Sequence, residues 1–259
     1  MSEPPVPNHE RLGVFFLGAV QFVNILDFMM IMPLGPDFTT ELHIPAALLG
    51  LLGSAYAVSA SVAGLIGAWV LDRYDRKTAL LWALLGLSLG TAAGGFAIGF
   101  KSMLAARLLA GLFGGPATSL ALSALTDLVP LERRGRAIGA MMGAFSVASV
   151  LGVPLGLWMA RHGGLRTPFF VVAGIGLVVL AMAAAVLPPL RGHLLRKEPA
   201  RSLSEILHRP VVRLALLTIA LGNMSSFALV PNIAPFLIRN CNMPRNDLEY
   251  MYALGGACS

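Results

Sequence analysis

Ala68-Trp69-Val70-Leu71-Asp72-Arg73-Tyr74-Asp75-Arg76-Lys77 is the point where an unbroken apolar run gives way to six residues of which five are charged. A spanning helix shows such a junction where it leaves the bilayer on the cytoplasmic side, because hydrocarbon rejects Arg and Lys and they are retained on that face. The stretches on either side are apolar and long. Read outward from this loop, the chain is a series of membrane helices joined by short charged turns.

Composition points the same way. Of 259 residues, 56% are hydrophobic and 12% are charged, and the mean hydropathy is +0.76; a soluble domain carries about 25% charged residues. At about 20 residues per span, the length holds seven or eight helices and leaves no room for a separate soluble domain. The net charge of +6 does not call for nucleic acid once its placement is considered. With alternate loops taken as cytoplasmic, Arg11, the Arg73/Arg76/Lys77 loop, the Arg133/Arg134/Arg136 loop and six cations between Arg191 and Arg213 put 13 cations on one side. Lys101, Arg161, Arg166, Arg239 and Arg245 put 5 on the other, and Arg107 lies within a span. That bias predicts a cytoplasmic N-terminus.

Several classes are disfavoured. Cys241 and Cys258 have no metal or redox spacing, so no cofactor or metal is expected. An intramembrane protease needs His inside a span, whereas His9, His43, His162, His193 and His208 all fall in tails or loops. A seven-helix receptor predicts an external N-terminus, against the charge bias. The first ten residues lack a basic n-region, so the first span itself is expected to direct insertion.

The expected order is a tail over 1–11, a six-helix bundle over 12–189, a cytoplasmic central loop over 190–210, and an incomplete second bundle over 211–259. The first span, Leu12 to Pro36, carries Gln21, Asn24 and Asp27 at intervals of three, within about 120° of one helix face. Asp27 is expected roughly 13 Å or more from either end of that span. A carboxylate there costs about 2.5–3.5 kcal/mol to insert and marks either a functional site or a structural pair with a neighbouring helix. An outer loop over 37–45 leads to spans at Ala46–Leu71, Thr78–Phe100, Ser102–Leu128, Ile138–Met159 and Thr167–Leu187. The third is rich in Gly and Ala, which suits close helix packing. Arg107, early in the fourth, is placed either to couple to a buried group or to snorkel to the outer interface. In the central loop, Ser202 and Glu205 have capping-box spacing, which predicts a short surface helix over Leu203–His208. Val211–Ile238 is the seventh span, and an eighth begins after Asn246.

Three stretches carry a family resemblance. Ala68 to Lys77 resembles the Gly-x-Leu-Ala-Asp-Arg-x-Gly-Arg-Lys signature between the second and third helices of the major facilitator superfamily, with Ala68 and Asp75 standing for its two Gly residues. Asp75 departs most, since Gly tolerates positive φ and Asp does so less easily. Arg107 followed by Gly111, Gly114 and Gly115 is similar to the Arg-x-x-x-Gly signature of the fourth helix. Gly152-Val153-Pro154-Leu155-Gly156 resembles the Gly-Pro-x-x-Gly type of signature associated with exporters that exchange substrate for protons. An internal echo accompanies them: Phe227, Pro231 and Pro235 follow Phe28, Pro33 and Pro36 at an offset near 199, and Tyr252-Ala253 repeats Tyr56-Ala57 at an offset of 196, as duplicated halves predict.

The resemblance implies an all-α integral membrane fold, a superfamily N-terminal six-helix bundle followed by the first one or two helices of the second bundle. The chain stops at Ser259, before a second copy of the charged motif would fall, so a truncated length is expected. It further implies a secondary active transporter of a bacterial inner membrane, a drug:proton antiporter-like efflux protein working by alternating access on small lipophilic or amphipathic compounds. Asp27 and Arg107 would be the proton and coupling site. Gln21, Asn24 and Asn223 would line the substrate cavity, and Asp72, Arg73, Arg76, Lys77 and Asp127 would form a conformational latch. Gly111, Gly152, Pro154 and Gly156 would set kinks and packing. On physics alone the latch charges could equally be independent surface groups. The implied partners are substrate, protons and the lipid bilayer, with self-association of the chain as given. Two alternatives stay open: a non-transporting fragment or assembly or regulatory membrane protein, and a sugar or metabolite exporter of the same superfamily.

Overall fold

A computed structural model describes residues 8–31, 33–190 and 208–244, with Asp247, Leu248, Met251 and Leu254 beyond them. The chain divides into two compact units, Met1–Leu194 with Glu249–Ser259, and Leu195–Leu248.

In the first unit the helices are α1 (Asn8–Met29), α2 (Gly35–Glu41), α3 (Leu49–Val70), α4 (Arg76–Gly95), α5 (Phe100–Leu128), α6 (Leu131–Val147), α7 (Val153–Gly163) and α8 (Thr167–Val186). Among the described residues six segments are long and apolar enough to cross a membrane: α1, α3 with the turn before it, α4, α5, α6 continued through α7, and α8. The second unit contains α9 (Pro210–Asn240), a helix of 31 residues. No strand occurs among the described residues.

Packing places α5 between α3 and α4, α8 against α4 and α1, and α6 against α1, with α1 also touching α5. The α3–α5 crossing is close because its contact residues lack side chains. A Cβ added at Gly111 would run into the Tyr56 carbonyl, and one at Gly115 into the Ala60 carbonyl. Small residues are how helices gain contact in lipid, where no hydrophobic driving force pulls them together. Large apolar side chains point outward instead: Val58, Leu65 and Ile66 of α3 are exposed, as lipid-facing residues are.

Helix boundaries differ from expectation where proline and capping chemistry intervene. The first helix stops at Met29 rather than Pro36, because Pro33 has no N–H to continue the ladder. The expected outer loop after Pro36 is a short helix, α2, with Pro36 in its first turn and its Phe38 fully buried against Phe169. The fifth span begins at Leu131, not Ile138. Pro130 is extended (φ −56°, ψ 151°) as N-cap, Glu132 sits in the first turn, and the expected loop cations Arg133, Arg134 and Arg136 therefore lie on helix. The same span widens into a π-helix over Ala148–Gly152. Pro154 accounts for it: it cannot donate to the carbonyl four residues back and its ring crowds that carbonyl, so the hydrogen-bond ladder opens there. The expected surface helix over Leu203–His208 and most of the eighth segment lie outside the described residues.

Candidate functional site

The three-residue periodicity of Gln21, Asn24 and Asp27 puts all three side chains inside the bundle. Asp27 and Arg107 are completely buried, with the guanidinium Nη2 3.1 Å from Asp27 Oδ1. Arg107 Nη1 donates to Asp27 Oδ2 at 3.1 Å and to the Asp27 carbonyl at 3.3 Å, so the pair is bidentate with a third bond to the main chain. Such fork geometry is the strong form of a charge-assisted contact. The guanidinium lies between two aromatic faces, 6.0 Å from the Tyr56 ring centroid and 5.7 Å from that of Phe169, within cation–π range. Arg107 thus points inward, not to the interface.

Thr91 of α4 completes the carboxylate's surroundings. Its Oγ1 is 2.7 Å from Asp27 Oδ1 and 2.9 Å from the Leu87 carbonyl, and its one proton can serve only one of them at a time. Asn24, one turn earlier on α1, donates from Nδ2 to the Gly114 carbonyl and to Thr118 Oγ1, each at 2.7 Å, and accepts from Tyr56 Oη. Gln21 is buried too, and its Oε1 has no hydrogen-bond partner. Helices α1, α3, α4 and α5 therefore meet in one polar cluster.

The cluster sits nearer one end of the bundle than expected. Asp27 is two residues from the end of α1, and Arg107 is seven residues, about 10 Å, from the start of α5. The Pro33 break is the cause: the chain turns at Met30 and does not continue as helix to Pro36.

At the opposite end, Arg76 Nη1 contacts Asp127 Oδ2 at 2.5 Å and the Ser123 carbonyl at 3.1 Å. Lys77 Nζ donates to the Ala184 carbonyl at 2.7 Å, and Arg134 reaches the Thr126 and Val129 carbonyls at 2.7 and 3.0 Å. Lys77 and Arg134 thereby satisfy carbonyls freed at the C-terminal ends of α8 and α5, where cations also complement the helix dipole. Arg73 is exposed at the end of a 3-10 turn. The side chains of Asp72 and Asn223 lie outside the described residues. Gly152 faces Leu26, while a Cβ at Gly156 would have no atom within 4 Å.

Tyr56, Thr91 and Thr118 were not singled out as site residues by sequence reasoning. Their own segments carry no signal that separates them from polar residues that only pack. Asp75 was read as an imperfect Gly, yet its φ is −58°, so no positive φ is required of it.

The first unit is therefore a polytopic helical bundle with an ion pair buried in its interior and a charged loop tied to helix ends. The chain belongs to the Major Facilitator Superfamily, whose family model matches residues 17–259. It is 30% identical to the MFS-type transporter YceJ of Bacillus subtilis, over 85% of this chain and 57% of that protein. It is 29% identical to the chloramphenicol resistance protein of Streptomyces lividans, over 89% of this chain and 59% of that protein. Among solved structures, a bacterial homologue of the human lysosomal transporter Spinster, inward-facing and unoccupied, superposes with a TM-score of 0.79 at 20% identity, covering 96% of this chain and 60% of that one. The chain spans less than two thirds of the length of each of these proteins. It is a multi-pass membrane protein.

Proposed function

We propose that the chain provides the proton-coupling half of an efflux transporter for small lipophilic or amphipathic compounds, set in a bacterial inner membrane with its N-terminus in the cytoplasm and working by alternating access. The sealed Asp27–Arg107 pair carries this reading. A proton delivered to Asp27 neutralises the carboxylate, removes the charge that holds Arg107, and so changes the relative energy of two arrangements of α1 and α5. Thr91 is suited to both states: it donates to the carboxylate, then accepts from the carboxylic acid and turns its own proton to the Leu87 carbonyl. Gln21 and Asn24 are proposed to line the substrate cavity, Gln21 offering its unmatched amide oxygen to substrate. Asp72, Arg73, Arg76, Lys77 and Asp127 are assigned to the latch. The likeness to the chloramphenicol resistance protein of Streptomyces lividans supports a drug-like cargo.

The test is dye efflux, driven by an imposed pH gradient, in everted vesicles from cells expressing a full-length transporter that carries this half. Asp27→Asn keeps the shape and loses the titrating charge, so gradient-driven flux should fall to background while the protein still inserts. Flux equal to that of the unaltered protein would remove Asp27 from coupling.

A further inference from the structure

Three further helices close on the Asp27–Arg107 pair. α4 brings Thr91 to the carboxylate, while α3 and α8 bring the Tyr56 and Phe169 rings to the guanidinium, at 6.0 and 5.7 Å. The carboxylate does not satisfy the whole cation, since Arg107 Nε is buried and makes no hydrogen bond.

Both rings are fixed without help from Asp27. Phe169 is wholly buried, with the Phe38 ring of α2 6.3 Å away and Gly94 of α4 beside it, where a Cβ would lie 2.8 Å from the ring. Tyr56 is held at its tip, where Oη donates to Asn24 Oδ1, and Gly114 leaves no room for a Cβ next to that hydroxyl. Ring faces attract a cation most strongly where water shares neither partner.

A site that takes up a proton must hold together in two charge states. With Asp27 ionised, Arg107 has its counter-charge. With Asp27 neutral, the guanidinium is a buried cation without one, which is strongly destabilising unless other groups take up its charge. Two aromatic faces do so without titrating, and the Asp27 carbonyl, which accepts from Nη1 at 3.3 Å, is likewise unchanged by the proton.

We propose that Tyr56 and Phe169 are positioning residues, an aromatic seat that keeps Arg107 charged and in place while Asp27 is protonated. What the proton releases is then the fork between α1 and α5, and the arginine stays with α3 and α8. This role rests on the coupling reading above.

A fluorine series at position 169 tests the seat, because each fluorine draws charge from the ring face with little change in size. Phe and mono-, di- and trifluorophenylalanine are placed there in the full chain by nonsense suppression, in the unaltered protein, in Asp27→Asn and in Asp27→Asn/Arg107→Gln. Thermal unfolding in detergent is the readout. The midpoint of Asp27→Asn should fall with each fluorine, by roughly 2–4 °C over the series. The unaltered protein should fall less, and the charge-free double variant should not fall. Parallel slopes in the three proteins overturn the proposal, as does a series that is flat in Asp27→Asn or steeper in the unaltered protein than in it. If Asp27→Asn does not fold, the other two proteins decide: a fall confined to the one that keeps Arg107 supports the seat, and equal slopes overturn it. The expected slopes, found alongside a full-length transporter that shows no gradient-driven flux, support the seat and overturn the coupling reading alone.

Discussion

Asp75 Oδ1 accepts the backbone N–H of Leu190 at 3.1 Å, joining the start of α4 to the residues that follow α8. The same oxygen accepts the Lys77 N–H at 2.9 Å and so caps α4, and the Arg76 N–H donates back to the Leu190 carbonyl. The departure from the superfamily's Gly at this position thus replaces a permissive turn residue with an N-cap that also ties two helices. Asp75→Ala removes both bonds and should cost about 1–2 kcal/mol, mainly the loss of the cap. Asp75→Ser should restore most of it. Thermal unfolding in detergent, followed by intrinsic fluorescence, measures the difference; an unchanged midpoint for Asp75→Ala would show that the tie contributes nothing.

Glycines on neighbouring helices should respond oppositely to the same change. At Gly115 a Cβ would strike the Ala60 carbonyl, which is backbone and cannot swing aside, whereas at Gly139 it would meet nothing within 4 Å. Gly115→Val should therefore separate α3 from α5 and cost roughly 1–3 kcal/mol or more, seen as loss of the monodisperse peak on size exclusion. Gly139→Ala should elute like the parent and be no less stable, since Ala is the better helix former by about 1 kcal/mol. Similar behaviour of the two variants would contradict the close crossing.

Orientation can be read directly. With both native cysteines replaced, a single cysteine at Arg136 should react with a membrane-impermeant maleimide only after the cells are opened, and one at His162 should react in intact cells. Both residues are exposed at helix surfaces, so failure to label would not be a matter of burial. The reverse pattern would overturn the orientation derived from 13 cations against 5.

Much of this architecture was legible because membrane insertion imposes simple rules on sequence. Apolar runs of spanning length gave the spans, and the three-residue spacing of Gln21, Asn24 and Asp27 placed them on one buried face. The Arg76–Asp127 contact was implied only by family resemblance, since no local periodicity links residues 51 positions apart. Three-dimensional detail was hidden for the same reason. Thr91 and Tyr56 reach the cluster from other helices, and nothing in their own segments distinguishes them from residues that only pack. The helix ends were misjudged where Pro33 and Pro130 act, because hydropathy reports where apolar residues lie and not where the hydrogen-bond ladder stops. The charged segment after Pro130 reads as loop by composition, yet its cations gain partners by being helical.

The Asp27–Arg107 pair makes a sharp energetic prediction. Both groups are fully buried, so Asp27→Asn leaves a guanidinium without its counter-charge, and Arg107→Gln leaves a carboxylate without its own. Each single change should destabilise by about 3–5 kcal/mol, the cost of stranding one buried charge. The double variant Asp27→Asn/Arg107→Gln leaves no charge stranded and should recover much of that loss. Thr91 and the Tyr56 and Phe169 rings remain to pack against it. Unfolding midpoints of the four proteins, converted to a double-mutant cycle, give the coupling directly. A double variant as unstable as the sum of the singles would mean that the two side chains act independently, and the pair could then not serve as a switch whose setting depends on one proton.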